Sequence, residues 1–199
     1  MISQDGKATF DEERLVRSLE QLPVHARVAF ASACAERLRS SYLAFAESTE
    51  SGDKARAYAE LLDRLWADLK GELMPEDDVQ RLAEQATALI PDVEDDAYDA
   101  YAEDAAAALS YAWGCRLLVD SQEAAWAARR AYEAVDQFVI RLEGIDLAEP
   151  GVERRILEHP LIQAELHRQA EDLRDLMREN RNAARIRARA TRARAFVAR

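Results

Sequence analysis

Apolar residues recur three and four positions apart along almost the whole chain, the spacing that places them on one face of a helix. Leu15, Val16 and Leu19 form the first stripe. They follow Thr9, Phe10, Asp11 and Glu12, whose capping-box spacing predicts a helix running to about Gln21. Pro23 suits the first turn of a second helix, with Val24, Val28, Ala31, Ala35 and Leu38 on its inner face. Residues 40–49 read as a separate short helix. Gly52 then breaks the chain, and Asp53 is expected to cap a long helix carrying Tyr58, Leu61, Leu62, Leu65, Trp66 and Leu69.

The same period continues to the C-terminal region. Residues 74–77 open a helix that stops at Ile90 and Pro91, and an Ala-rich helix follows to about Leu118. Asp120 and Glu123 form a capping pair for a helix with Trp126, Tyr132, Val135, Phe138 and Val139. Residues 143–151 are a loop, and Pro160 opens a last helix striped by Ile162, Leu166, Ala170, Leu173 and Met177. No alternating strand pattern and no fixed-period repeat interrupts the series. The expected fold is all-α: a single-domain bundle of seven or eight mostly antiparallel helices over residues 1–179. Residues 180–199 are expected as an Arg-rich extension of the last helix.

Composition agrees with a helical globular chain. Apolar residues make up 49% and charged residues 33%, with only 6 Gly and 5 Pro in 199 residues. The N-terminal residues lack a charged segment followed by an apolar run, and no stretch approaches a membrane span. Cys34 and Cys115 stand far apart in helical segments, which reads as buried free thiols in a reducing cytoplasm. The expected location is therefore cytoplasmic, with no membrane contact.

Charge changes the picture. The net charge is -11, yet all 38 acids and 20 of the 27 basic side chains lie before residue 180, so the body carries -18. Seven arginines and no acid follow. An acidic body joined to a basic tail is the sharpest asymmetry in the chain.

Three stretches carry a family resemblance. "VAFASACAERLRSSYLAFAESTESGDKARAYAELLDRLWADL" at 28–69, "YAEDAAAALSYAW" at 101–113 and "EHPLIQAELHRQAEDLRDLM" at 158–177 together resemble the bacterial YjaG-like family. That family is a domain of unknown function. The resemblance spans about residues 22–178 and implies an all-α fold and a bacterial source. It brings no activity and no catalytic residue, and it leaves the Arg-rich tail outside.

The densest chemistry is "IPDVEDDAYDAYAED" at 90–104. On a helical wheel Asp95, Asp96, Asp99 and Glu103 share one arc, opposite Tyr98, Tyr101, Ala105, Leu109 and Ala112. A solvated face explains this pattern, helped by the preference of acids for a helix N-terminus. The sharper reading makes Asp92, Asp95, Asp96, Asp99 and Glu103 a surface for a cationic partner. A divalent metal would want carboxylates converging from different elements, and one exposed arc does not supply that. Glu133 and Asp136 are spaced like a carboxylate pair of an all-α pyrophosphatase, although one such pair arises by chance in a chain this acidic. His25, His159 and His167 lack zinc spacing, with His159 reading as the residue that opens a helix. No nucleophile motif, phosphate loop or dinucleotide fingerprint is present, so no cofactor, metal or catalytic residue is expected.

In the tail, Arg181, Arg185, Arg189 and Arg192 fall on one helical face. Phosphate backbones attract such a face, but the acidic body would repel nucleic acid. Docking on an acidic surface of the same chain, or of a second copy in a homodimer, fits better. Two functions follow. The first is a non-catalytic protein-binding or self-associating module of inhibitor or immunity type, using the acidic surface. The alternative is an enzyme, or a small-ligand or divalent-metal protein, with a carboxylate-lined pocket between helices. Convergence of the acids at 92–103 with Glu133 or Asp136 around a cavity would favour the alternative.

Overall fold

The computed structural model describes residues 7–72, 74–92, 99–178 and 183–193. Among these it has nine helices: α1 Glu12–Glu20, α2 Val24–Ser48, α3 Gly52–Asp68, α4 Glu76–Thr87, α5 Ala100–Leu118, α6 Ser121–Glu143, α7 Val152–Leu157, α8 Pro160–Arg178 and α9 Ala183–Arg192. No described helix is long and apolar enough to cross a membrane.

The helix starts follow local chemistry, with some shifts from expectation. Asp11, rather than Thr9, caps α1 by accepting from the Arg14 amide at 3.0 Å. Ser51 precedes α3, and the expected cap Asp53 sits inside its first turn. Asp120 caps α6 as expected, accepting from the Gln122 amide at 2.9 Å. The His159 ring nitrogen Nδ1 accepts from the Leu161 amide at 3.3 Å where α8 opens. Residues 40–49 do not form a separate helix, because α2 runs unbroken to Ser48. No glycine or proline lies between Pro23 and Gly52, so nothing stops it.

Helices α2 and α5 are the centre of the main core. α5 packs against α2, α4 and α6, and α2 also meets α3, α8 and α9. Tyr101, Ala102 and every residue from Asp104 to Leu109 are buried, so α5 is not the two-faced helix its charge pattern predicts. Alanines on three sides let neighbouring backbones approach closely and bury it nearly all round. Tyrosines tie this core to backbone carbonyls: Tyr58 donates to Ala35 at 3.0 Å, and Tyr42 donates to Leu89 at 2.9 Å. Both thiols are buried and free, and burial pushes Cys34 and Cys115 up to about 12.

A smaller second core joins Ala8, Val135, Val139, Ile145, Val152, Ile156, Ile162 and Leu166. It fixes the N-terminal segment, α7 and the ends of α6 and α8 together. Gln163 completes the join, accepting from the Ala8 amide at 2.8 Å and donating to the Ala8 carbonyl at 2.9 Å.

The Arg-rich segment does not prolong α8. In one continuous helix Arg189 would stand about 21 Å beyond Asp175, yet Arg189 Nη1 lies 2.7 Å from Asp175 Oδ2. α9 instead lies back on the body, with Ile186 and Ala190 fully buried in the main core.

Candidate functional site

Above the second core lies an open cleft of about 750 Å³, walled by Thr9 and Phe10, one face of α6, the loop at Leu147, and α7. α6 supplies its chemistry through helical spacing. Arg129, Glu133, Asp136 and Ile140 are three or four residues apart and all line the cleft. The apolar floor is Tyr132, Ile140, Ile156 and Leu157, with Phe10 stacked on Tyr132 at 5.4 Å between ring centroids. Leu147 is left 62% exposed at the rim.

The carboxylates of the cleft are not equivalent. Glu12 accepts from Gln122 at 2.8 Å and pairs with Arg129 at 3.2 Å. Arg129 Nε in turn reaches Glu133 Oε1 at 2.8 Å, and Arg130 lies 3.7 Å from Glu133 Oε2. Glu12 and Glu133 therefore have cations of the chain beside them. Asp136, one turn further along α6, has none acting on it among the described residues. Burial and the Glu133 carboxylate both hold its carboxyl above the ordinary range, and no basic side chain among the described residues offsets them. Glu153 faces it from α7 across the opening. The result is a half-buried carboxylate over an apolar floor, in a site whose arginine is already engaged.

This constellation differs from the one expected at the start of α5. Asp92 is exposed and does not line the cleft, and Asp95 and Asp96 lie outside the described residues. Asp99 is the N-cap of α5, accepting from the amides of Tyr101 and Ala102 at 2.8 and 2.9 Å. Glu103 lies 4.0 Å from Arg130 Nη1, and so meets Glu133 through a shared arginine rather than around the cavity. Among the described residues of that stretch the buried acid is Asp104, bound by Arg130 at 3.1 Å and raised by burial to about 7. No group of three His, Cys, Asp or Glu among the described residues is placed to hold a metal.

The expected basic face is likewise divided. Arg181 lies outside the described residues, and Arg192 is exposed. Arg189 joins Asp172 and Asp175, and Arg185 lies 3.8 Å from Asp175. Arg187, off the predicted face, pairs with Asp63 and lies over the Trp66 ring at 5.6 Å. A buried ion cluster also escapes the sequence pattern. Arg37 on α2 donates to Glu165 and Asp172 of α8, all three 1% exposed. In the sequence Glu36 and Arg37 look like a wet face, and only partners more than a hundred residues away reveal Arg37 as core.

Comparison with known proteins gives a family and a fold. The chain belongs to the DUF416 family, a protein family of unknown function, whose sequence model matches residues 14–194. The match runs through α9, past the point where the resemblance read from the sequence stops. A crystal structure of a DUF416 family protein from Shewanella baltica OS155 is similar, with a TM-score of 0.75 over 92% of this chain and 97% of that one. Sequence identity is 17%, so the likeness shows the fold alone. None of the curated proteins matches.

Proposed function

We propose that this DUF416 chain is a non-catalytic binding module, and that its cleft takes a cationic side chain flanked by apolar groups, presented by a protein partner. One observation carries this reading: Asp136 stands half-buried over an apolar floor with no counter-cation among the described residues, beside exposed Glu153. A lysine or arginine entering there supplies the missing charge. Its aliphatic stem covers Ile140, Ile156 and Leu157, and a flanking apolar residue covers Leu147. The acids of residues 92–103, Asp92, Asp95, Asp96 and Glu103 among them, add negative charge that draws a basic partner.

The cleft also bears on the alternative of a small-ligand protein with a carboxylate-lined pocket, since Glu12, Glu133, Asp136 and Glu153 surround it. A small amine would use the same Asp136 contact without needing Leu147. Two probes separate the readings: the tripeptide acetyl-Leu-Lys-Leu-amide and n-butylamine, each titrated while the methyl resonances of Ile140, Ile156 and Leu157 are followed. The protein-binding reading expects the peptide to bind at least tenfold tighter than butylamine, a Glu-for-Lys peptide to have no effect, and Asp136→Asn to weaken binding about tenfold. Equal affinity for both probes moves the assignment to small amines. No perturbation at millimolar peptide removes the cleft as a binding site.

A further inference from the structure

A buried charge reaches the cleft through α6. Asp104 of α5 is 1% exposed, yet its two oxygens are unequally served. Arg130 Nη1 lies 3.1 Å from Oδ1, while Oδ2 is buried and has no hydrogen-bond partner among the described residues. A carboxylate oxygen left dry in this way favours a proton, and burial carries the Asp104 carboxyl to about 7. The same Arg130 nitrogen stands 3.7 Å from Glu133 Oε2 and 4.0 Å from Glu103 Oε1. Glu133 is in turn the like charge that raises Asp136. One guanidinium is thus divided between a buried acid that titrates near neutrality and the carboxylate beside the candidate cation site.

Around Asp104, α5 itself contributes Glu103 and Tyr101, and α6 contributes Arg130 and Glu133. α3 brings the Tyr58 hydroxyl to the Ala105 carbonyl at 3.3 Å, and burial keeps that phenol protonated. α2 turns its buried charges elsewhere, Glu36 to Trp66 and Arg37 to Glu165 and Asp172. α4 meets α5 through the Thr87 hydroxyl on Ser110 at 2.8 Å. We infer that Asp104 regulates the cleft, its charge competing with Glu133 for the Arg130 guanidinium. The inference rests on the reading of Asp136 as a cation site. With Asp104 charged, Arg130 is shared and Glu133 keeps more of its negative field. With Asp104 protonated, the guanidinium serves Glu133 and Glu103 alone, and the field at Asp136 weakens. Cation affinity therefore rises as pH rises through about 7. By reciprocity, a bound cation favours the charged form of Asp104.

Asp104→Asn fixes the neutral state and tests this on the full-length chain. Acetyl-Leu-Lys-Leu-amide, whose lysine stays charged throughout, is titrated at pH 6 and pH 8 while the Ile140 methyl resonances are followed. The natural chain is expected to bind at least threefold more tightly at pH 8, and Asp104→Asn to bind equally at both. A natural chain without pH dependence overturns the inference and leaves the cation site standing. So does a dependence that Asp104→Asn keeps, which would belong to a histidine such as His159, 3.7 Å from Glu143. A peptide that binds at neither pH removes the site and the inference together. A second measurement needs neither the peptide nor a change at Asp104. Glu133→Gln removes the competitor for Arg130, so the Asp104 carboxyl carbon is expected to titrate at least half a unit lower than in the natural chain. An unmoved midpoint overturns the inference.

Discussion

Arg37 Nη1 stands 2.8 Å from Asp172 Oδ2, with both side chains 1% exposed and 135 positions apart in the chain. The same guanidinium donates through Nε to Glu165 at 3.0 Å. Burial pulls its pKa down, but the two carboxylates outweigh that and hold it above the ordinary arginine value. One arginine thus pins α8 to α2, and Asp172 passes the tie on to Arg189 of α9.

Removing that arginine takes the buried cation from both acids, leaving Asp172 with Arg189 and Glu165 with Arg168 at 3.7 Å. Arg37→Met is expected to lower the unfolding free energy by about 3–5 kcal/mol. Asp172→Asn is expected to cost about 1–2 kcal/mol, because Arg37 keeps Glu165 and Arg189 keeps Asp175. Urea unfolding of the two variants checks the order, and equal losses would show that the cluster is not organised around Arg37.

Asp104 sets a pH dependence of definite sign. Its carboxyl is raised from 3.8 to about 7, chiefly by burial and against the pull of Arg130. The folded chain therefore holds this proton to higher pH than the unfolded chain does. Between about pH 4 and 7 the native state binds more protons, so stability falls as pH rises, by at most about 4 kcal/mol. Asp104→Asn removes this dependence. The stability of the variant relative to the natural chain is expected to rise from pH 5 to pH 8, read from urea midpoints, and a constant difference would contradict the assignment.

Val119 ends α5 with φ at 59°, in the left-handed region, and its amide donates to Cys115 at 3.1 Å. A β-branched residue is strained there, and its side chain is half exposed, so little packing offsets the strain. Val119→Gly is expected to raise stability by about 1 kcal/mol in thermal unfolding. A loss of similar size would mean that the valine side chain contributes more than its exposure implies.

Most helices are legible from three- and four-residue spacing alone, and Asp120 at the start of α6 is legible from capping chemistry. What the pattern does not show is which charges are buried. Asp104 and Glu103 are neighbours in an acidic run, yet one is core and the other lies at the surface edge of Arg130, a difference made by α6 packing across α5. The cleft is half visible in the sequence, since Glu133 and Asp136 share a helix face by spacing. Phe10, Leu147 and Glu153 come from three separate elements, and nothing in their local sequence says that they meet. Arg187 escapes for a similar reason: the wheel that groups Arg185, Arg189 and Arg192 assumes a face chosen by arginines. The fold chose the face of Ile186 and Ala190, which turns Arg187 toward Asp63 and Trp66.

The central claim is that Asp136 waits for a cation, and its own carboxyl carbon reports this most directly. With full-length protein labelled at aspartate side chains, the Asp136 resonance would be followed from pH 3 to 8, alone and with saturating acetyl-Leu-Lys-Leu-amide. The account predicts titration above the ordinary aspartate range in the free chain, and a midpoint at least one unit lower with the peptide, since a bound ammonium favours the charged form. An ordinary midpoint in the free chain, or one that the peptide does not move, would contradict it.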